Sequence, residues 1–371
     1  MHIKKRIDAS AVNFLKRRGF SNYIAPLVWN DLKKDLLHYH GASIREKIWS
    51  YRRGFLSERI KRYGLNQHNY LRYLPDFAYK RMHPINGTHS RLIDNKLILR
   101  DVFQAHAQYL PRYYWHIDNK HAIRRLLDCP VDQNVSPTVD EIISTLPRVG
   151  SLAAKPTSGS GGFGFIRIDY LRENSYAVNH QRTDKSELIR LLAQLKDYLI
   201  TEYLFSHPSI RQVFDKTPNT LRLVVASDSM NAPAIIGGFM RFGLISSGSV
   251  DNAGAGAIFC GLDMETGTCY GARRIVGTEI EQIERHPDSG TQINGFTLPN
   301  WSIITSDLLE IARSVPELKY MGFDIVITDN AFKFIEINSL PDIQYMQPFQ
   351  PIFDNPMAAA FFKPRISRVS P

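Results

Sequence analysis

Toward the end of the chain, Asp324, Glu336 and Asn338 stand in two apolar runs, 322–328 and 332–337/338, joined by an Asp329-Asn330 turn. Side chains two apart on an extended strand share a face, so Glu336 and Asn338 point the same way. Antiparallel pairing of the runs can bring Asp324 beside them. Three oxygen donors on one face suit a hard cation such as Mg²⁺, which takes one or two carboxylates and completes its shell with substrate phosphates. Pairing with nearby Lys or Arg is the alternative; carboxylates among apolar neighbours need one compensating charge or the other.

A second group suits phosphate. Lys155 leads into Pro156-Thr-Ser-Gly-Ser-Gly-Gly-Phe-Gly164, the richest glycine stretch. Gly159, Gly161 and Gly164 satisfy G-x-G-x-x-G, but that fingerprint has to open a helix onto a pyrophosphate, and residues 163–170 read as a strand. A dinucleotide-binding site does not fit, and without a Gly-Lys-Ser/Thr ending a Walker-type loop is excluded. Strand, glycine turn and strand make a hairpin whose small residues let backbone N–H groups approach phosphate oxygens while the lysine supplies charge. A mobile surface hairpin would use the same glycines. Protein kinases fold such a hairpin over a nucleotide, but their His-Arg-Asp and Asp-Phe-Gly signatures are missing.

The elements that must hold these groups form an α+β layout. Residues 1–85 read as mainly helical, with apolar residues three or four apart in 31–37 and 44–49. Pro84 and Asn86-Gly87-Thr88 mark a boundary. Helices are predicted over 94–103, with Asp94 as N-cap, from Pro137 onward, and near 186–195 and 305–314. Strands are predicted at 151–155, 163–170, 198–203, 220–226 and 235–242, in addition to the two runs above.

At 371 residues with 43% hydrophobic content, the chain can bury a core without staples. No stretch reaches the roughly 18 apolar residues of a spanning helix, and the start shows no signal-peptide core, so a cytoplasmic protein is expected. Cys129, Cys260 and Cys269 form neither a disulfide framework nor a Cys-x-x-Cys zinc pair. The net charge of +10 is uneven, because residues 1–90 hold 18 Lys+Arg against 6 Asp+Glu. Aromatics interleave with that charge at Phe14, Phe20, Trp49, Phe55, Tyr63, Tyr70, Tyr73, Phe77 and Tyr79. Such a surface suits an anionic membrane or a phosphate-bearing substrate, with nucleic acid the weakest option; alternatively the aromatics are core and the charges a solvated face.

Lys96, Lys155 with its glycine hairpin, the strand ending Ile200-Thr-Glu-Tyr-Leu204, and Asp324…Glu336-x-Asn338 together resemble the ATP-grasp superfamily. Pro218-Asn-Thr-Leu-Arg222, Val250-Asp-Asn-Ala-Gly-Ala-Gly256, His286-Pro-Asp-Ser-Gly290 and Ile335-Glu-Ile-Asn-Ser-Leu-Pro-Asp342 are similar to its sugar-transfer associated subgroup, related to α-L-glutamate ligases. The resemblance covers roughly residues 90–345 and implies two α+β subdomains clasping ATP, a central one over about 145–205 and a metal-binding one over about 206–345. Residues 1–88 stand before them as a basic helical region and 346–371 as a tail. By the same resemblance Lys96 and Lys155 contact the ATP phosphates or the adenine edge, Ser160, Gly161 and Gly162 cover the phosphates, Glu202, Tyr203 and Leu204 form a hinge whose backbone and Glu202 carboxylate can bond the adenine, and His207 falls at a ribose position, where a surface histidine would look the same. Asp324, Glu336 and Asn338 match the Mg²⁺ ligands, while Arg222, Arg241 and Lys155 offset charge on a transferring phosphoryl group, unless the arginines serve as ordinary ion pairs. Asp251-Asn252 and His286-Pro-Asp288 are candidates for an acceptor pocket or plain turns. The implied activity is an ADP-forming carboxylate–amine ligase acting through an acylphosphate, attaching an amino acid to a sugar carried on a lipid or nucleotide in polysaccharide assembly. A lipid-linked acceptor would bring residues 1–85 to the inner membrane face. A phosphotransferase, or a nucleotide-binding protein without turnover, is the alternative.

Overall fold

The computed structural model describes residues 2–37, 41–131, 136–159, 161–227, 232–277 and 279–369. Ser160, one of the expected phosphate contacts, lies outside them. Two seven-stranded antiparallel sheets form the frame. The first comprises β1 (Tyr113–Ile117), β2 (Ile123–Arg125), β3 (Ser151–Pro156), β4 (Ile166–Arg172), β5 (Ser175–Val178), β6 (Gln181–Asp184) and β7 (Tyr198–Glu202), in the order β2-β1-β7-β3-β4-β5-β6. The second comprises β8 (Leu221–Ala226), β9 (Ala234–Phe242), β10 (Ile258–Leu262), β11 (Cys269–Val276), β12 (Glu279–Gln282), β13 (Tyr320–Ile327) and β14 (Phe332–Asn338), in the order β12-β11-β10-β9-β8-β13-β14.

Alternation sorts the faces of each sheet. On β3, Leu152 and Ala154 turn into a core with helices Val139–Val149 and Lys185–Gln194, capped by Thr138 and Asp184. Ala153 and Lys155, the intervening positions, line the cleft between the sheets. In the second sheet Leu221, Leu223, Met240, Phe323 and Ile325 pack against Ile304, Leu308 and Ile311 of helix Trp301–Arg313. Its opposite face carries Val224, Phe239, Phe259 and Tyr320, covered by Leu74 and Tyr79 from the N-terminal region and by Met346, Ile352, Ala358, Phe361 and Phe362 from the segment after residue 345. The first sheet therefore starts at residue 113, well before 145, and the C-terminal segment forms part of a core.

The N-terminal region is helical, over His2–Arg17, Ile24–Leu37, Ile44–Arg52, Glu58–Tyr63 and Asp76–Arg81. Its aromatics are mostly interior. Phe20, Phe55, Tyr63, Tyr73 and Tyr79 are buried, with the Tyr63 and Tyr73 rings stacked 5.1 Å apart, whereas Phe14 is exposed. Asp94 is not a helix cap: the helix Lys96–Val102 is capped by Asn95, which accepts from the Leu97 amide at 2.9 Å. Asp94 instead accepts from the backbone N–H and hydroxyl of Ser339, at 2.9 and 2.7 Å, tying the start of that helix to the end of β14.

Candidate active site in the cleft between the sheets

The register of three strands assembles the site. Asp324 on β13 lies opposite Arg222 on β8 and Glu336 on β14, and Gly322 lies opposite Asn338. Arg222 in turn faces Phe239 on β9, which places Arg241, two residues on, on the same side. Five polar side chains thus share one sheet face amid apolar neighbours. Gly322 keeps room for them, since a Cβ there would come 2.3 Å from Pro341 Cβ.

Arg222 clasps Asp324 with two bonds, from Nε to Oδ1 and from Nη2 to Oδ2 at 3.0 Å, and Arg241 Nη2 reaches the same Oδ2 at 3.2 Å. Burial opposes ionisation of Asp324, but the two guanidinium groups override it and hold the carboxyl down to about 2. Arg241 also donates through Nε to the Thr220 hydroxyl at 2.9 Å, and Thr220 donates its N–H and hydroxyl to Asp251 Oδ2, each at 2.6 Å. The ion pairing foreseen as the alternative for Asp324 is therefore present, and the carboxylate is spoken for on most sides.

Lys96 joins three elements. Its N–H donates to Thr157 O at 2.9 Å, its Nζ donates to Gly159 O of the hairpin at 2.8 Å, and the same Nζ lies 3.4 Å from Glu336 Oε2. Lys155 Nζ donates to Ile335 O at 3.2 Å. Burial, helped by the neighbouring Lys96 charge and resisted by Glu336, pushes the Lys155 ammonium down to about 8. The hairpin tip touches the opposite wall: Asn252 Nδ2 donates to Gly161 O at 2.8 Å, and a Cβ on Gly162 would stand 2.8 Å from Val250 Cγ1. Both glycines have positive φ, +76° and +74°.

The cleft has a volume of about 740 Å³ and is lined by Lys96, Lys155, Gly161, Gly162, Glu202, Tyr203, Leu204, Arg222, Arg241, Asp324, Glu336 and Asn338. Every described residue expected to hold the nucleotide, the metal or the transferring phosphoryl group is among them except His207. Its Nδ1 accepts from the Ser209 amide at 3.2 Å, capping helix Pro208–Val213, and it is absent from the lining. Asp251 and Asn252 line the cleft, but His286 does not. His286 is fully buried, stacked on Phe214 at 4.9 Å and bonded through Nε2 to Gly243 O at 2.7 Å, while Asp288 accepts from the Ile245 amide at 2.8 Å. At the end of β7 the Glu202 carboxylate is taken by Lys333 and by the N–H and Nε of Arg112, at 2.9 and 3.2 Å, which leaves the backbone of 202–204 for any hydrogen bonds to an adenine expected there.

Do these donors fit a divalent cation? Asp324 Oδ2 already accepts from both arginines and Oδ1 from one, leaving lone-pair capacity on Oδ1. Among the described residues Glu336 is ion-paired with Lys96. The buried Asn338 Nδ2 has no hydrogen-bond partner among the described residues, and turning the amide over would put its oxygen in that position. Among the described residues no three His, Cys, Asp or Glu side chains cluster as a metal cage. Two carboxylates and an amide fit Mg²⁺ whose shell is completed by phosphate oxygens.

Sequence reasoning missed one wall altogether. Asp31, Asp35, Glu58, Arg59 and Asp76 of the N-terminal region also line the cleft. The clue was compositional, since four of these five are acids within a basic stretch.

Several solved structures are similar at low identity. The ATP-grasp ligase PsnB, solved with its precursor peptide and AMPPNP, is 14% identical, with 76% of this chain and 61% of that one covered and a TM-score of 0.34. D-alanine-D-alanine ligase from Coxiella burnetii is 13% identical over 75% and 58%, with a TM-score of 0.36. D-alanyl-alanine synthetase A from Vibrio cholerae O1 is 10% identical over 75% and 65%, with a TM-score of 0.41. The chain spans about three fifths of the length of these proteins. No curated protein matches it. The sequence model of the sugar-transfer associated ATP-grasp family matches residues 79–350, from the last N-terminal helix through β13 and β14 to the loop beyond them. The two sheets and the cleft between them are those of an ATP-grasp fold, and the chain belongs to the sugar-transfer associated ATP-grasp family.

Proposed function

We propose that the protein is an ATP-dependent carboxylate–amine ligase that activates the carboxylate as an acylphosphate. The observation that carries the reading is the convergence of Arg222, Arg241, Asp324, Glu336 and Asn338 on one sheet face, opposite Lys155 and the glycine hairpin. Lys96, Lys155, Gly161 and Gly162 would hold the phosphates, and the backbone at Glu202, Tyr203 and Leu204 the adenine. Glu336 and Asn338, with Asp324 Oδ1, would hold Mg²⁺, which when bound neutralises phosphate charge.

The carboxylate oxygen attacks the γ-phosphorus as the bond to ADP breaks. Amine nitrogen then forms the C–N bond, phosphate departs with the former carboxylate oxygen, and the amine gives up its proton. Two anions must meet in the first step, so orientation and charge compensation are what the protein supplies. Arg241 suits this task, because Asp324, Thr220 and Asp251 fix its guanidinium rigidly. No side-chain nucleophile is required.

Family membership favours a sugar-linked acceptor receiving an amino acid, in cell-surface polysaccharide assembly. Exposed Phe14, Leu36, Leu37, Ile44 and Ile48 beside the basic excess of residues 1–90 favour contact with an anionic lipid surface carrying that acceptor. Among the described residues no helix is long and apolar enough to cross a membrane. Phosphate release should require a carboxylate, and hydroxylamine should convert the activated carboxylate into a hydroxamate. A stable phosphorylated product with no hydroxamate would make the protein a phosphotransferase, and nucleotide binding without phosphate release would remove turnover altogether.

A further inference from the structure

Amide formation leaves one proton to be placed, because the attacking nitrogen must shed it as the C–N bond forms. Among the described residues no histidine lines the cleft, so a proton acceptor has to come from its carboxylates or lysines. Most of these are committed. Asp324 is clasped by Arg222 and Arg241 and held down to about 2, which makes it a poor base. Glu202 is taken by Lys333 and Arg112, and Glu336 is ion-paired with Lys96. On the N-terminal wall Asp31 pairs with Lys80, Glu58 and Asp76 pair with Arg59, and Asp35 accepts from Tyr51 and Ser57. The exposed Asp342 accepts from Gln344 through both oxygens, and Lys155 is needed as the ammonium that meets phosphate.

Asp251 differs from all of them. It lines the cleft at 9% exposure, and its two oxygens have unlike surroundings. Oδ2 accepts from the N–H and hydroxyl of Thr220 at 2.6 Å each and lies 3.7 Å from Arg241 Nε, beyond hydrogen-bond reach. Oδ1 accepts from no described residue, yet it is not an occluded atom as the unpartnered Ser249 hydroxyl is. One oxygen therefore anchors the carboxylate and the other stays open to the cleft. The loop is braced on both sides of it. Ser247 Oγ lies 2.8 Å from Val250 O, while the Asn252 side chain accepts from the Gly254 amide at 2.9 Å and donates to Gly161 O of the glycine hairpin at 2.8 Å. The groups bearing on its charge are Arg241 of β9, Asp324 of β13, which it meets only through Arg241, and Tyr203 after β7. Burial raises the Asp251 carboxyl above its ordinary 3.8 and outweighs Arg241 and the Thr220 donors, which makes it a better base than an exposed aspartate.

We propose that Asp251 Oδ1 is the proton acceptor for the incoming amine, which puts the acceptor nitrogen at the 249–254 loop beside Arg241. The proposal rests on the ligase reading and gives its last proton a destination. An amine that arrives as an ammonium first loses one proton to water. The neutral nitrogen then attacks the acylphosphate carbon, and Asp251 Oδ1 takes one N–H proton as the C–N bond forms. The C–O bond to phosphate breaks with its electron pair on the leaving oxygen. That oxygen receives the proton from Asp251, so phosphate departs as the hydrogen phosphate dianion and the carboxylate is restored.

The test incubates the full chain with ATP, Mg²⁺ and, as carboxylates, glucuronate and the standard amino acids. The amine is either hydroxylamine or a panel of amino acids, glucosamine and ethanolamine, with products read by mass spectrometry. Hydroxylamine is weakly basic, so after attack it gives its proton to water readily and needs a protein base least. Asp251→Asn keeps an oxygen for Thr220 but no base. Its ratio of amide to hydroxamate should fall about a hundredfold relative to the parent, the ordinary worth of a positioned base. Taking the ratio cancels any loss common to both products, such as a shift of Arg241. Asp251→Ser removes the carboxylate without adding bulk and should give the same fall, which covers the case of a poorly folded first variant. Amide and hydroxamate that persist or decline together would overturn the assignment and leave Asp251 as a brace for Thr220 and Arg241. Hydroxamate without amide from any amine in the parent would overturn it too. A parent that yields neither product and releases no phosphate brings down the ligase reading itself.

Discussion

Lys155 offers a sharp test, because its ordinary value of 10.5 is pushed down to about 8 in the cleft. Burial and the Lys96 charge favour the neutral amine, whereas nucleotide phosphates favour the ammonium. Below pH 8 the charge is already in place; above it, binding has to include taking up a proton. Between pH 7 and pH 9 the charged fraction falls from about nine tenths to about one tenth, so AMPPNP affinity should drop roughly tenfold if the ammonium is required. Lys155→Arg keeps its charge throughout this range and reports any change owed to the nucleotide or to other groups. Calorimetry at pH 7, 8 and 9, in buffers of differing ionisation enthalpy, reads both affinity and proton uptake. Wild-type affinity that stays level, or that falls no more than that of Lys155→Arg, would refute the role given to this lysine.

Two further predictions concern Asp324 and the glycine hairpin. Asp324→Asn leaves Arg222 and Arg241 without their shared carboxylate in a buried setting. About 3–5 kcal/mol of stability should be lost in urea unfolding at pH 7. In the parent, the part owed to the lowering of Asp324 from 3.8 to about 2 is present above pH 3.8 and disappears as pH falls to 2, so the gap between parent and variant should narrow by about 2 kcal/mol over that range. Gly162→Ala demands a left-handed conformation of a residue with a side chain and drives Cβ toward Val250. AMPPNP affinity should fall about tenfold, roughly the 1–2 kcal/mol such a conformation costs; adding Val250→Ala should restore part of it, and strictly additive effects would contradict the close approach.

The legibility of the sequence followed the range of the interactions. β13 and β14 were readable because a short turn joins two alternating runs, and the face shared by Glu336 and Asn338 follows from spacing alone. Pairing of Arg222 with Asp324 was not, since β8 and β13 lie about a hundred residues apart and only the folded register sets them opposite. Ile258–Leu262 is buried on both faces and shows no alternation, while Arg273-Arg274 and Glu279–Gln282 load their strands with charge, so β10, β11 and β12 escaped notice. The Asp94 prediction missed by one residue: Asn95 caps the helix because Asp94 is held by Ser339, a partner 245 positions away. His207 had the right place in the order of motifs but is occupied in capping the next helix. The N-terminal region was recognisably helical, yet its role as a wall depends on bonds such as Arg59 to Gln344 and Tyr79 to Pro341 O, which no local pattern encodes.

Nucleotide uptake by the cleft with and without the metal tests the central claim most directly. Calorimetric titration of the full chain with AMPPNP should show one site per chain whose affinity rises at least tenfold when Mg²⁺ is added, and Glu336→Gln should remove most of that gain while leaving metal-free binding in place. Binding indifferent to Mg²⁺, or a Glu336→Gln variant that responds to the metal as the parent does, would contradict a magnesium–nucleotide site between the two sheets.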